Sequence, residues 1–408
     1  MLRRFWNSQD GNFAVMLAIT SVPVLAVVGG ALDVANTYAK ASKLQNSLDA
    51  TALAIASNYS PDMAAADMNQ QGKDILAANF FGENAQDADL QASGALSNFK
   101  VEVDPTQDTV NVSSKIVSPS FLRGFPDWRV TRSASARVMG GMPACMLALN
   151  SNASAAIKLQ GNTDVSLNGC VVASNSKAAD SISRGGSASL KAECALAVGQ
   201  TSGLSGSYAK LACGTPLERQ IASLDPLRNV NPPTDGCSGK NFPTGGGTKN
   251  LSPGVYCGEK FDGTITLAAG TYVLRDTSIK LTGSGSLTGQ GVTIFLLGSS
   301  GMTVNANQTV NLSPPTSGPY AGITIFQGRD NTQELKINGG SASKLSGFVY
   351  APNAHIFFAG NSASGSSDCL RLVGDTIEMT GSSAIQSDCK AQLGGRTMTA
   401  GRFLALVQ

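Results

Sequence analysis

The sequence predicts a mostly β protein hung from one N-terminal transmembrane helix. A helical stalk and a small α+β domain follow, and then a large C-terminal domain built as a right-handed β-helix-like solenoid. Three observations carry this reading. Residues 13 to 32 contain no charge. The 408 residues include 45 Gly and 16 Pro, with aromatics at 6% and charged residues at 14%, a turn-rich composition without the period of collagen or the polarity of a disordered chain. A short phrase, strand followed by a glycine corner, recurs beyond residue 150. A β-sandwich or jelly roll is the alternative use of the same short strands.

The charge balance narrows the function. Lys+Arg is 30 against Asp+Glu 28, a net charge of +2, which excludes an electrostatic nucleic-acid binder and an acidic or basic tail. The single histidine, His355, leaves no multi-histidine metal site and ties any triad chemistry to one ring.

The first element is residues 1–60. The run FAVMLAITSVPVLAVVGGAL, with Phe13, Leu17, Leu25 and Leu32 in its apolar body and Pro23 mid-span, has the length needed to cross a hydrocarbon core of roughly 30 Å as a helix. Arg3 and Arg4 precede it and Asp33 is the first charge after it, so the positive-inside rule keeps the N-terminus cytoplasmic and exports the rest. The run exceeds the roughly 7 to 15 apolar residues of a signal peptide, and helical character continues through it, so it reads as an anchor rather than a cleaved leader. From Val34 to Ser57 there is no Gly or Pro, and Leu44, Leu48, Ala52 and Ile55 fall on one helix face. Asn58 to Pro61 stops the stalk.

Residues 61–140 form the second element. A helix-leaning stretch with Ile75, Leu76, Phe80 and Phe81 as buried points precedes three strands of period-two alternation, at 99–103, 109–113 and 129–134, with Asp104-Pro105 turning the first pair. Gly140-Gly141-Met142-Pro143 is the linker.

The third element, residues 144–408, carries the repeats. Ile157-Lys158-Leu159-Gln160-Gly161-Asn162, Ile279-Lys280-Leu281-Thr282-Gly283-Ser284, Leu335-Lys336-Ile337-Asn338-Gly339-Gly340 and Ile377-Glu378-Met379-Thr380-Gly381-Ser382 share one pattern: apolar, charged, apolar, polar, Gly, small. Each reads as a short strand ending at a corner that Gly permits, on rungs of about twenty residues with insertions. Further strands are expected at 292–294, 302–304, 310–312 and 323–325. All eight cysteines lie here, and an even count in an exported domain reads as disulfides. Proximity pairs Cys145 with Cys170, Cys194 with Cys213, Cys237 with Cys257 and Cys369 with Cys389. Each closes a loop of about twenty residues, worth about 3 kcal/mol in the chain-entropy model. No C-x-x-C occurs, so the cysteines are not read as a zinc set.

The densest charged group in the chain's β region is Asp368, Arg371, Asp375 and Glu378. A polysaccharide lyase or glycosidase would need two carboxylates, or a base with calcium, close on one face. The bland reading, a solvated edge beside Cys369, is preferred, and no catalytic, metal or cofactor site is assigned. His355 reads as a half-buried strand residue, and Phe357 and Phe358 as rung stacking rather than a sugar platform.

Residues 11–57 resemble the N-terminal region of TadG-type tight-adherence (Flp) pilus assembly proteins. The residues that carry this are Gly11-Asn12-Phe13-Ala14-Val15 opening the span, Asp33 closing it, Tyr38, Leu44-Gln45 and Asp49-Ala50. Beyond residue 140, Cys145-Met146-Leu147-Ala148-Leu149-Asn150, Asn168-Gly169-Cys170, Asp225-Pro226-Leu227, the stretch 315–323 and Tyr350-Ala351-Pro352-Asn353-Ala354 are similar to one branch of that family. A second branch carries a von Willebrand A metal site with an Asp-x-Ser-x-Ser run. The comparable Asn150-Ser151-Asn152-Ala153-Ser154 has no carboxylate, which places the chain with the branch lacking that site. Prepilin-like relatives carry Glu five positions after the cleavage-site Gly, where this chain has Met16. The resemblance therefore implies a permanent bacterial inner-membrane anchor, with the bulk periplasmic and no enzymatic role. Its implied partners are other Tad assembly membrane proteins or minor pilins, besides the lipid bilayer, and the helix-plus-sheet middle is pilin-like in outline. An exported glycan-binding or adhesive β-helix that touches cell-envelope glycan is the alternative function.

Overall fold

The computed structural model describes residues 11–59, 65–82, 93–104, 109–120, 126–234, 236–237, 248–258, 263–281, 283–305, 308–338, 343–361, 369–386, 392–401 and 403–407. Asp368, Cys389 and the third phrase's Gly339-Gly340 lie outside the described residues. The chain divides into two compact units, one of Met1–Met139 with Leu404–Gln408, the other Gly140–Phe403. The large domain expected at 144–408 therefore begins four residues earlier in the chain and gives its last residues back to the first unit. A terminal strand, Phe403–Val407, completes that unit's sheet.

In the first unit, α1 runs over Gly11–Asn58 and α2 over Ala65–Phe81. Three strands follow, β1 (Lys100–Asp104), β2 (Thr109–Ser118) and β3 (Trp128–Met139), in the order β1, β2, β3, terminal strand. Both β1–β2 and β2–β3 are antiparallel, with Asp104 opposite Thr109; Pro105 of the expected turn lies outside the described residues. The period-two pattern of β2 places every second residue in the core. Val110, Val112 and Ile116 of β2 and Val130, Ala134 and Ala136 of β3 join Leu44, Leu48, Ala52 and Ile55 of α1 there. In α2 the buried stripe is Met68, Gly72, Leu76 and Phe80, with Phe81. Ile75, expected among them, is half-buried, because it stands one position off that i, i+4 row. Gly72 is required by closeness: a Cβ there would lie 2.5 Å from the Phe99 ring and 2.9 Å from the Ile55 side chain.

The second unit is a stack of short parallel strands in three columns. Tyr272, Ile294, Ile325, Val349, Leu372, Met146, Val172 and Ala195 pair successively in the first column. The second is Ile279, Met302, Leu335, Ile356, Ile377, Ile157 and Ile182. The third holds Ile265, Leu287 and Val310, and on its other stretch Ser383, Val165 and Leu190. Inward residues of all three columns form one continuous apolar core. All four copies of the repeated phrase stand in the second column. Their corner glycines Gly161, Gly283 and Gly381 have φ of 75°, 60° and 76°, the left-handed region that a side chain disfavours. A jelly roll does not fit this pairing: among the described residues of this unit, the only antiparallel pair is Thr399–Ala400 against Met142 and Pro143.

Stack order differs from chain order. The chain lays down strands from Met142 to Leu211 in one direction, crosses to the opposite end, and builds back from Thr248. Its last long strand, Leu370–Gln386, pairs with Gly347–Asn361 on one side and with Met142–Ala148, Ile157–Leu159 and Asp164–Asn168 on the other. The first and last strands of the stack's chain therefore meet at an internal seam.

Candidate functional site

Two places concentrate the residues singled out in the sequence: α1 and the seam. Along α1 the environment changes abruptly. Leu17, Leu25 and Leu32 are exposed, Leu25 by 67%, whereas Leu44, Leu48, Ala52 and Ile55 are fully buried. Pro23 lies inside the helix. Thr20 and Ser21 turn their hydroxyls back to the carbonyls of Met16 and Ala18, at 2.8 and 3.0 Å, which satisfies these polar groups within an apolar segment. Among the described residues this is the one helix long and apolar enough to span a membrane. Phe13 is in the helix.

The family-signature residues of α1 acquire roles in the structure that the sequence did not disclose. Asp33 is buried and accepts a hydrogen bond from Ser120 Oγ at 2.5 Å. Gln45 Nε2 donates to Asp49 Oδ1 at 2.8 Å and to the Ser133 carbonyl of β3 at 3.0 Å. These residues fasten the helix to the sheet.

At the seam, Arg371, Asp375 and Glu378 of the charged group reach across to residues of the first run. Asn150 Nδ2 donates to both carboxylate oxygens of Asp375 at 3.0 Å. Glu378 pairs with Lys158 at 3.5 Å and accepts from Gln160. Arg371 is buried with Nη1 3.2 Å from Cys145 Sγ, and burial pushes its guanidinium down to about 10. Every one of these contacts joins the strand Leu370–Gln386 to the rung it meets. Asn150 also caps its own loop, its Oδ1 accepting from the backbone N–H of Asn152 and Ala153. No group of three or more potential metal ligands occurs among the described residues.

His355 is half-buried with Nδ1 2.8 Å from Thr376 Oγ1. Phe358 packs against the main core, while Phe357 is half-buried beneath the Lys336 ammonium at 5.2 Å. Among the described residues the disulfides are Cys145–Cys170, Cys194–Cys213 and Cys237–Cys257. Cys369 is also disulfide-bonded.

A second core was not legible in the sequence. Outward residues of the first column, among them Phe295, Phe326, Phe348 and Tyr350, are covered by Leu227 of the crossing segment and by Leu393 and Met398. Tyr350 donates to Asp225 Oδ2 at 2.6 Å, and burial followed by the Asp225 charge raises its phenol well above the usual range. Arg329 donates to the carbonyls of Leu227, Arg228 and Val230 at 2.7, 3.0 and 3.2 Å, and its guanidinium lies over the Phe326 and Tyr350 rings. The stretches Asp225-Pro226-Leu227 and Tyr350-Ala351-Pro352-Asn353-Ala354, which the sequence offered as separate similarities, are thus two halves of one clamp.

An apolar helix exposed over its first half, docked over its second and followed by a mostly β body defines a membrane-anchored protein. Its N-terminal segment is a Tad domain: residues 11–58 match the family model of Flp pilus-assembly TadE/G-like proteins, the same bounds as α1. Residues 227–391 match a domain of unknown function, DUF7305, which runs from the clamp through the last strand of the seam. No curated protein and no solved structure matches the chain.

Proposed function

We propose that the protein is a bitopic inner-membrane accessory of Flp (Tad) pilus assembly, its N-terminus cytoplasmic and the bulk of the chain beyond the span of α1 periplasmic. The observation that carries this is the coincidence of the Tad domain with α1, whose apolar half is left uncovered by the rest of the chain. Arg3 and Arg4 before the span and Asp33 after it support the orientation. On this reading the three parallel columns coil as a β-solenoid that serves as a scaffold for other assembly proteins or minor pilins. The aligned columns and their common core support that coiling.

The scaffold acts without catalysis. In support, Asp375 and Glu378 are each held by partners on the adjoining rung, and a glycosidase would need such carboxylates free to flank a sugar. Replacing Asp368, Asp375 and Glu378 by Asn, Asn and Gln should leave surface pili intact. A folded triple variant that loses pili would overturn the non-catalytic reading.

The decisive experiment is deletion of the chain, with surface pili scored after complementation by the full length or by residues 1–60. Restoration by the full length alone is expected; undiminished pili in the deletion strain would sink the assignment. Reporter fusions after residue 60 test orientation, and activity of a cytoplasmic reporter would reverse it. Phe357, on an outward face beneath Lys336, favours glycan binding as the second reading. Retention of the purified unit on peptidoglycan, lost on Phe357→Ala, would support that alternative.

A further inference from the structure

Just beyond the uncharged run of α1, a groove in the first unit is lined by Val34 and Tyr38 of the helix and by Trp128, Arg129 and Arg132 of β3. Tyr38 is 74% exposed and Trp128 46% exposed, and both arginines are exposed. Neither arginine has a carboxylate partner among the described residues. Two carboxylates close to the groove residues in sequence are already engaged, Asp127 accepting from the Ser120 N–H at 3.4 Å and Asp33 from the Ser120 hydroxyl.

The placement of this groove along α1 follows from register. Gln45 of α1 bonds Ser133 of β3, while Val34 and Tyr38 meet Trp128. Following β3 from Trp128 to Ser133 therefore follows α1 away from its apolar half, and the Trp128 end of the strand is the end at the bilayer surface. Trp and Tyr, apolar bodies with one polar handle, concentrate at that level of a membrane. A guanidinium fork matches phosphate oxygens, and anionic leaflets attract basic residues held at their surface.

We propose that this groove seats the headgroup of an anionic phospholipid in the leaflet from which α1 emerges. Arg132, on the same face of β3 as Trp128, faces its phosphate, Arg129 adds positive charge at the groove's rim, and Trp128 and Tyr38 lie at the glycerol level. The bound lipid fixes the tilt of the first unit over the membrane. This goes beyond the pilus-assembly reading and rests only on α1 crossing the bilayer.

The full chain carrying Trp6→Phe, which leaves Trp128 as its one tryptophan, provides the test. It is reconstituted into nanodiscs of phosphatidylcholine with a minority of phosphatidylglycerol, one or the other lipid being brominated on its acyl chains near the headgroup. Quenching of Trp128 by brominated phosphatidylglycerol should exceed its mole fraction, with an enrichment of roughly fivefold for each arginine. Arg129→Gln with Arg132→Gln should abolish that excess and leave alkali-resistant membrane association, which reads the anchor, unchanged. An unquenched Trp128 in a protein that still floats with lipid would assign the groove to a protein partner and overturn the proposal. So would equal quenching by both lipids, or displacement of phosphatidylglycerol by millimolar inorganic phosphate, which marks a free-anion site. Loss of alkali-resistant association in the parent protein would sink the anchor and this proposal with it.

Discussion

Tyr272 places a hydroxyl inside the apolar core near one end of the stack, one strand in from Gly254–Cys257. Its ring is buried beside Tyr256, centroids 6.2 Å apart, and its one proton is shared between the carbonyls of Ala268 and Leu251 at 2.7 and 2.9 Å. Burial, with the neighbouring Tyr256 adding, pushes the phenol up to about 12. An unfolded tyrosine ionises near about 10, so above that pH the unfolded state loses a proton that the folded state keeps. The contribution to stability is complete below about pH 10 and is lost as the pH climbs toward 12. Tyr272→Phe should lower stability at neutral pH by about 1 kcal/mol, the net worth of a typical hydrogen bond, since the Leu251 carbonyl keeps the Ala268 N–H at 3.0 Å. It should also flatten the loss between pH 10 and 12, which urea unfolding across that range measures. An unchanged alkaline slope would show that Tyr272 does not titrate as its burial requires. The clamp offers a second residue-scale test. Tyr350→Phe strips a hydrogen bond from the Asp225 carboxylate, and bonds to charged groups contribute about 1.5 to 3 kcal/mol; a urea midpoint equal to the parent's would remove Asp225 and Tyr350 from the account of the clamp.

In the second unit a strand of one or two inward residues with a glycine corner recurs, and those inward residues are buried against the parallel strands beside them. Leu281 shows the dependence: it is fully buried beside the second column, its N–H bonded to the Thr303 carbonyl of the next rung. Leu281→Asp places a carboxylate where neither water nor a counter-charge is available, a cost of several kcal/mol. The variant should lose cooperative unfolding and become protease-sensitive in residues 140–403 while the first unit stays folded; a protease-resistant variant would contradict the register of this column. The phrase was legible because its two requirements are local, apolar alternation and a left-handed corner. Ile75 was misread for the opposite reason: α2 is apolar on more than one side, and only contact with α1 and Phe99 selects the row Met68, Gly72, Leu76, Phe80.

At the scale of the molecule, the seam makes residues 144–217 and 248–386 interdependent. The strand Leu370–Gln386 has its second edge covered only by strands from the first run. The segment 227–391, expressed alone, therefore presents an unpaired parallel edge and should self-associate, since exposed edges template further pairing. Residues 140–403 together should behave as a monomer. Light scattering coupled to size exclusion compares the two, and a monomeric, cooperatively folding 227–391 segment would show that the seam is not needed to close the stack.

By itself the sequence determined the anchor, the stalk face, the antiparallel strands of the first unit and the second-column strands with their glycine corners; for the cysteines it offered proximity alone, and the structure selects Cys145–Cys170, Cys194–Cys213 and Cys237–Cys257. Each depends on neighbours within about twenty-five positions, where periodicity, turn chemistry and loop closure act directly on the chain. Only the tertiary structure decided that Ile377 stacks on Ile157, that Asp375, Glu378 and Arg371 stitch a seam, that Asp225 meets Tyr350, and that the terminal strand returns to the first unit. Those pairings join residues far apart in the chain. Many strand orders would satisfy the same apolar pattern, so periodicity read within a short window of the chain does not select among them.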